Sequence, residues 1–247
     1  MFSHRFFCFI ALVLFLSFSA YAEKKFRVQL ESGAVWQQLN DVKIAPNSGS
    51  LVEFDKFNKG PFFHYRLEGF YNLNRRHALR VVYAPLSLSV SKVLGESVNF
   101  NGTGFNSIDP LNIDYKFNSY RVGYLYRLLD GEKSSLQVGL TIKVRDAKIE
   151  FSQNSLNSKY DNVGVVPLLY LAYQLRLDSL WSVFSDVDFA AAPQGRATDF
   201  TIKLRRKLND RFEAGLGYRT LEGGADNDKV YSFSWFHYVA ADLSARF

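Results

Sequence analysis

The stretch Tyr238-Val-Ala-Ala-Asp-Leu-Ser-Ala-Arg-Phe247 places Val239, Ala241, Leu243, Ala245 and a final Phe247 on one face of an extended segment. Side chains of a strand point alternately to opposite faces, so the stretch reads as a strand with one continuous apolar side. The same period of two recurs upstream. Phe26, Val28, Leu30, Ala34 and Trp36 alternate with Arg27, Gln29, Glu31 and Gly33. Phe63, Tyr65, Leu67 and Tyr71 alternate with His64, Arg66, Glu68 and Asn72, and Val122, Tyr124, Tyr126 and Leu128 with Arg121, Gly123 and Arg127. One phase suits lipid and the other water. Charge on the polar phase, aromatic clusters at the ends of the apolar phase and unequal connections set this pattern apart from a soluble sandwich. They predict an all-β fold, a transmembrane antiparallel up-and-down β-barrel.

A final strand of this kind, ending in an aromatic residue, resembles the C-terminal assembly signal of bacterial outer-membrane barrels. The resemblance implies a place in the outer membrane, the barrel-assembly machinery as a partner during biogenesis, and both termini on the periplasmic side. Leu216-Gly-Tyr-Arg-Thr-Leu-Glu-Gly-Gly-Ala-Asp226 is likewise similar to segments of small single-chain barrels of Gram-negative bacteria. The other end of the chain agrees independently. His4 and Arg5, an apolar run from Phe6 to Leu16, and Ala20-Tyr21-Ala22 before Glu23 read as a signal peptide, residues 1–22, cleaved to leave a barrel domain over 23–247.

The chain has 247 residues and a single Cys, Cys8, which leaves with the signal segment, so neither disulfide nor thiol chemistry is expected of the remainder. With Arg5 gone the formal charge is 29 − 24 = +5, and basic and acidic residues are interspersed, so no nucleic-acid partner is expected. No remaining stretch reaches the roughly 18 apolar residues of a spanning helix. No phosphate-loop spacing occurs and no cofactor is expected.

Connections come in two kinds. Asn72-Leu-Asn-Arg-Arg76, Asp130-Gly-Glu-Lys133, Leu177-Asp-Ser179 and Asn209-Asp210 have turn chemistry and read as four periplasmic turns. Longer segments near 39–60, 93–114, 153–161, 192–197 and 221–228 read as five outer loops. Together they join ten strands, near 25–38, 61–73, 77–91, 115–129, 134–152, 162–177, 180–191, 198–208, 211–220 and 229–247. Pairing of Ser50 to Phe57 as a hairpin, or merging of two segments, would give twelve or eight. Pro46, Pro61, Pro85, Pro110, Pro167 and Pro193 fall in loops or at loop-side strand ends, where a missing donor costs least.

The polar phase carries Glu31, Arg66, Glu68, Arg121, Asp186, Asp188, Lys203 and Arg219 near mid-strand, with Arg145 a little higher. A barrel of about eight strands is just filled by its side chains and one of about 16 leaves a channel. Ten strands therefore predict a charged, largely plugged lumen sealed by pairs such as Asp186 to Lys203. The function expected is that of a monomeric structural or surface-binding barrel, the loops at 39–60 and 93–114 carrying any binding. A narrow anion-preferring pore is the alternative, drawing on Arg27, Arg66, Arg80, Arg121, Arg127, Lys143, Arg145, Lys203, Arg205, Arg219 and Arg246.

Hydrolysis is a third reading. Asp186-Val-Asp188 on a ten-stranded barrel resembles the paired acids of omptin proteases, which also use a histidine; here His237 falls on the lipid phase. His64, on the lumen phase, is a candidate base for a lipid-modifying enzyme and would need a serine nearby. Glu222, Asp226 and Asp228, in Leu221-Glu-Gly-Gly-Ala-Asp-Asn-Asp228, are the candidates for a metal site, but the spacing matches no EF-hand loop and an acidic, glycine-containing tip is what solubility and turn geometry produce, so a structural turn is the reading preferred. Arg196, Asp199 and Glu222 are expected to pair near the rim. Aromatics form two girdles, Trp36, Tyr83, Phe189, Tyr231, Phe233 and Trp235 outward and Phe26, Tyr71, Tyr126, Trp181, Phe212 and Phe247 inward along the strands, leaving Phe70, Phe184 and Phe236 for the lumen.

Overall fold

The computed structural model describes residues 25–44, 48–193, 195–228 and 230–247. The segment expected to be a signal peptide, with Ala20, Ala22 and Glu23, and Pro46, lie outside the described residues. The strands are β1 (Phe26–Ile44), β2 (Val52–Glu53), β3 (Phe62–Asn72), β4 (His77–Ala84), β5 (Ser87–Val93), β6 (Val98–Phe100), β7 (Thr103–Phe105), β8 (Pro110–Asp130), β9 (Ser134–Gln153), β10 (Leu156–Arg176), β11 (Trp181–Ala192), β12 (Gly195–Lys207), β13 (Phe212–Asp226) and β14 (Val230–Arg246). Each long strand pairs antiparallel with its neighbours in chain order, and β14 returns to β1. The result is a closed barrel of ten staves. β4 and β5 are two halves of one stave, both paired with β8 and interrupted at Pro85 and Leu86. β2 adds two residues to β1 and is followed by a 3-10 turn, Phe54–Lys56, so Ser50 to Phe57 does not add a stave.

Closure uses the decisive stretch of sequence. β1 and β14 pair from Arg27↔Arg246 to Ile44↔Val230. Beyond the strand's end, the Phe247 N–H donates to the Phe26 carbonyl at 2.8 Å and the Phe26 N–H to the Phe247 carbonyl at 3.1 Å. The apolar phase faces out: Leu30, Val122, Leu140, Leu216, Val239 and Leu243 are exposed on the barrel's flank. A row of outward residues across neighbouring staves, Val122↔Ile142↔Pro167, marks the apolar belt.

Three of the four short turns share one device. The side-chain oxygen of Asn74, Asp178 or Asn209 accepts backbone N–H groups two and three residues on, at 2.7–3.0 Å. The N–H groups of Leu180 and Trp181 hold the Asp178 carboxyl below its usual range, so this turn's contribution is complete at neutral pH and fades as pH falls through the lowered value.

The opposite end departs from the predicted loops. β8, β9 and β10 run 21, 20 and 21 residues, about twice the 9–11 needed to cross a bilayer, so their outer halves project beyond it. The segments expected as loops at 153–161, 192–197 and 221–228 are therefore, in their described residues, mostly strand. Gly, Asn, Ser and Asp in those segments are compatible with pairing because ladder bonds do not end at the membrane surface. Pro167 accordingly lies inside β10, opposite Ile142, and not at its end. The segment 93–114 contains the β6–β7 hairpin, whose Asn101 and Gly102 adopt the positive φ values (48° and 82°) a two-residue hairpin turn demands. This hairpin and the 3-10 turn fold into the barrel mouth. Phe54, Phe100, Phe105, Leu111 and Phe151 form an apolar cap there, with the Phe100 and Phe151 rings stacked 4.0 Å apart.

Candidate functional site

The lumen is layered. Nearest the termini, Arg27 lies over the Phe70 ring at 3.9 Å and Arg205 over Phe184 at 3.7 Å, packed with Ala78, Leu125, Tyr170 and Ala172. Arg205 also donates to Gln29 Oε1 at 3.0 Å.

Above this layer a continuous ion-pair network crosses the barrel's waist. Lys203 Nζ lies 2.6 Å from both Glu31 Oε2 and Asp242 Oδ2. Arg219 holds Asp199 with two parallel bonds of 2.6 and 2.8 Å and reaches Glu31 at 3.5 Å. Arg121 joins Asp199 (2.5 Å) to Asp188 (2.6 Å). Arg80 then joins Asp188 (2.9 Å) to Glu68 (3.0 Å), and Arg66 completes the chain at Glu68 (2.9 Å). Asp186 sits 3.7 Å from Arg80 and accepts the Tyr170 hydroxyl at 3.3 Å. No member's side chain is more than 7% exposed, so the lumen is filled at this level. The acids Glu31, Glu68, Asp186, Asp188, Asp199 and Asp242 face the cations Arg66, Arg80, Arg121, Lys203 and Arg219, so the waist carries no cationic excess.

Several pairings differ from the sequence expectation. Asp186 does not meet Lys203: Asp186 lies opposite Thr201 and Lys203 opposite Phe184 in the β11–β12 register, and both side chains reach across the lumen instead. Arg145 is not part of the network. It lies on the inward phase of β9 two residues above Lys143, and its Nη2 donates to Asn162 Oδ1 at 2.6 Å. Asp199 is buried in the waist and not at the rim, where Arg196 pairs with Glu222 at 2.5 Å. Asp242, central to the network, escaped notice in the sequence although it falls on the inward phase of the last strand, and Asp199, expected at the rim, belongs to the network as well. The lumen phase also holds more aromatic side chains than Phe70, Phe184 and Phe236, because Tyr115, Phe151, Tyr170 and Tyr238 are all buried inside.

The candidate catalytic residues are placed apart. Asp188 is clamped between two guanidinium groups, and Asp186 lies beside Arg80 and Tyr170. His237 is on the outward phase, bonded to the Tyr218 hydroxyl. His64 is buried with its ring edge-on to Tyr238 at 4.8 Å, and among the described residues neither ring nitrogen has a hydrogen-bond partner, a serine hydroxyl included. Among the described residues no three His, Cys, Asp or Glu side chains gather as a metal site, and the Glu222 carboxylate is taken by Arg196.

Between the waist and the mouth, beside the apolar cap, lies a cavity of about 480 Å³. One wall is made of small residues, among them Ala190, Ala192, Gly195, Ala197 and Gly223, and Lys143 and Arg145 lie on the other.

A closed barrel of ten antiparallel staves with a lipid-facing belt and a filled polar interior defines the class of the small outer-membrane β-barrels. Residues 98–222 match the family described as "Protein of unknown function, DUF481", and the chain belongs to that family. No curated protein matches it. Among solved structures, the outer membrane protease OmpT from Escherichia coli superposes with a TM-score of 0.57 at 8% identity, covering 94% of this chain and 99% of that one. The transport unit of the autotransporter AIDA-I from Escherichia coli gives 0.49 at 9% identity, with 97% and 96% covered. Ail of Yersinia pestis gives 0.40 at 12% identity, with 90% and 99% covered. At such identities the likeness is one of fold.

Proposed function

We propose that the chain is a sealed, non-catalytic barrel of the outer membrane, exported with loss of residues 1–22 and acting as a monomer through its outer half. The observation that carries this reading is the waist network, in which every arginine and lysine has a carboxylate partner and every member is buried. Removing charges from water is costly, and a network is tolerated when its members satisfy one another. An anion-preferring pore would need cations free to meet a passing ion. Of the cations expected to favour anions, Arg66, Arg80, Arg121, Lys203 and Arg219 are committed to carboxylates at the waist. Hydrolysis is less well supported, since Asp186 and Asp188 are engaged by Arg80 and Arg121 and His237 is on the outer surface. The purified barrel in liposomes should cause no more swelling in small sugars or chloride salts than protein-free liposomes. Swelling that grows with protein content would overturn the reading.

The same reading assigns strand 239–247 to recognition by the barrel-assembly machinery. Removal of Phe247, whose backbone makes the last two bonds of the closure seam, is expected to leave export intact and to stall membrane insertion. Fractionation would show periplasmic accumulation of the truncated chain; normal insertion would contradict the assignment.

A further inference from the structure

The cavity beside the cap has three properties that together specify a ligand. The first is charge without a counter-charge. Lys143 is only 4% exposed and lines the cavity, yet among the described residues no carboxylate lies within ion-pairing distance of it; its one near partner is the Phe117 ring, 5.0 Å from Nζ. Arg145, two residues along on the same inward phase, has no carboxylate either, and its Nε is buried without a hydrogen-bond partner. Gly164 leaves room for the guanidinium, because a Cβ there would sit 3.2 Å from Nη2. At the waist each buried cation is matched with a carboxylate, and towards the termini Arg27 is covered by the Phe70 ring, so two unmatched cations side by side on the wall of a cavity are an anion site built into that wall.

The second property is an apolar enclosure. The wall of alanines and glycines on β11–β13 and the side chains of Phe117, Ile149 and Phe236 give the cavity volume with little polar surface. Its 480 Å³ falls within the range of small-molecule sites, about 300–1,000 Å³.

The third is a lateral slot. β10 stays paired with β9 out to Leu156↔Gln153, and β11 stays paired with β12 out to Ala192↔Gly195. The β10–β11 register, however, ends at Leu169↔Phe189. Two residues beyond lies Pro167, which has no N–H to give. Open strand edges are not tolerated against lipid unless they line a cavity, and here Val165, Pro167 and Ala191, all on the outward phase, line the cavity as well. The slot begins in the row of Ile142 and Pro167, inside the apolar belt.

We infer that the vestibule binds an amphipathic anion, a carboxylate or phosphate headgroup on a single alkyl chain, with the headgroup at Lys143 and Arg145 and the chain lying along the small-residue wall towards the slot between β10 and β11. This names the ligand class for the outer half of the sealed barrel and rests on that reading. A neutral alkyl chain gains nothing from the cations, and a small inorganic anion leaves the apolar wall uncovered. A free alkyl carboxylate entering at the mouth and an anionic phospholipid entering through the slot share this chemistry.

The test is equilibrium binding of radiolabelled dodecanoate to the barrel in phosphatidylcholine vesicles, corrected for protein-free vesicles, with dodecanol as the uncharged control. Saturable binding at one site per barrel is expected. Lys143→Met should weaken it by at least roughly tenfold, the equivalent of about 1.4 kcal/mol. Ala190→Phe, which fills the cavity and keeps both charges, should weaken it as well. Heat-modified electrophoretic migration verifies folding, and Arg145→Met stands in should Lys143→Met not fold. Equal binding by wild type and the folded charge variant, or competition by dodecanol as effective as that by unlabelled dodecanoate, would overturn the inference. Adding phosphatidylglycerol to the vesicles separates the sources: displacement of dodecanoate assigns the site to membrane lipid and persistence assigns it to a free carboxylate, the site standing in both cases. A barrel that conducts yet binds dodecanoate through Lys143 would remove the sealed reading alone, and a silent barrel indifferent to dodecanoate would remove this inference alone.

Discussion

Lys203→Met is expected to lower the barrel's unfolding free energy by about 3–5 kcal/mol, the cost of stranding a buried charge. Methionine keeps much of the length of the side chain and removes only the ammonium. Lys203 is the cation within ion-pairing reach of Asp242, at 2.6 Å, and the nearer of two for Glu31, which keeps Arg219 at 3.5 Å. Both carboxylates are 1% exposed as side chains, so water does not replace what is lost. Gly215 makes the placement tight, since a Cβ there would lie 2.7 Å from Asp242 Oδ2. The urea midpoint for loss of the heat-modifiable folded form should fall. Lys203→Met combined with Asp242→Asn should recover part of the loss, because the double change removes the stranded charge as well. Equal midpoints for wild type and Lys203→Met would show that the network contributes no net stability.

Gly33→Val is expected to abolish the closed barrel. Gly33 lies on the seam opposite Ala240, and an added Cβ would stand 2.1 Å from the Val239 carbonyl oxygen and 3.1 Å from the Ala240 Cα. Those are backbone atoms, so no side-chain rotation relieves the clash. β1 and β14 would have to separate there, and an unclosed sheet in a bilayer leaves ladder groups without partners at several kcal/mol each, roughly. The expected result is loss of the compact heat-modifiable band in refolding assays; a normal band would mean that the seam can shift to accept the side chain.

The architecture was legible in the sequence because a two-residue period is local: Phe63 to Tyr71 and Val122 to Leu128 declare their faces without knowledge of any partner. The ends of strands were less legible. Segment 153–161 looks like a loop from its Asn and Ser, yet it pairs as a hairpin through Asn154 and Ser155 because its fate depends on the neighbouring chain and not on composition. Asn101-Gly102, flanked by Phe100 and Thr103, was a hairpin signal that could have been read. The lumen residues were identified by phase, but who meets whom was not. Arg80 and Asp188 stand 108 residues apart in the chain and meet across the barrel, a relation set by stagger and closure. The cavity was invisible for the same reason: Lys143 and Arg145 stood among many cations, and only the geometry shows that these two lie side by side on a cavity wall without a carboxylate while the waist cations are matched.

The barrel proposed here is a wall with a pocket in its outer half. Its waist is filled by matched charges and its mouth partly by an apolar cap, leaving the vestibule beside Lys143 as the place where another molecule can be held. The measurement that bears most directly on this is single-channel conductance of the refolded barrel in a planar bilayer, with Arg121→Ala alongside. Silence from the wild-type barrel at all voltages and salt concentrations is the predicted result. A steady, anion-selective current from wild type, altered in Arg121→Ala, would contradict the sealed waist and make the lumen a path.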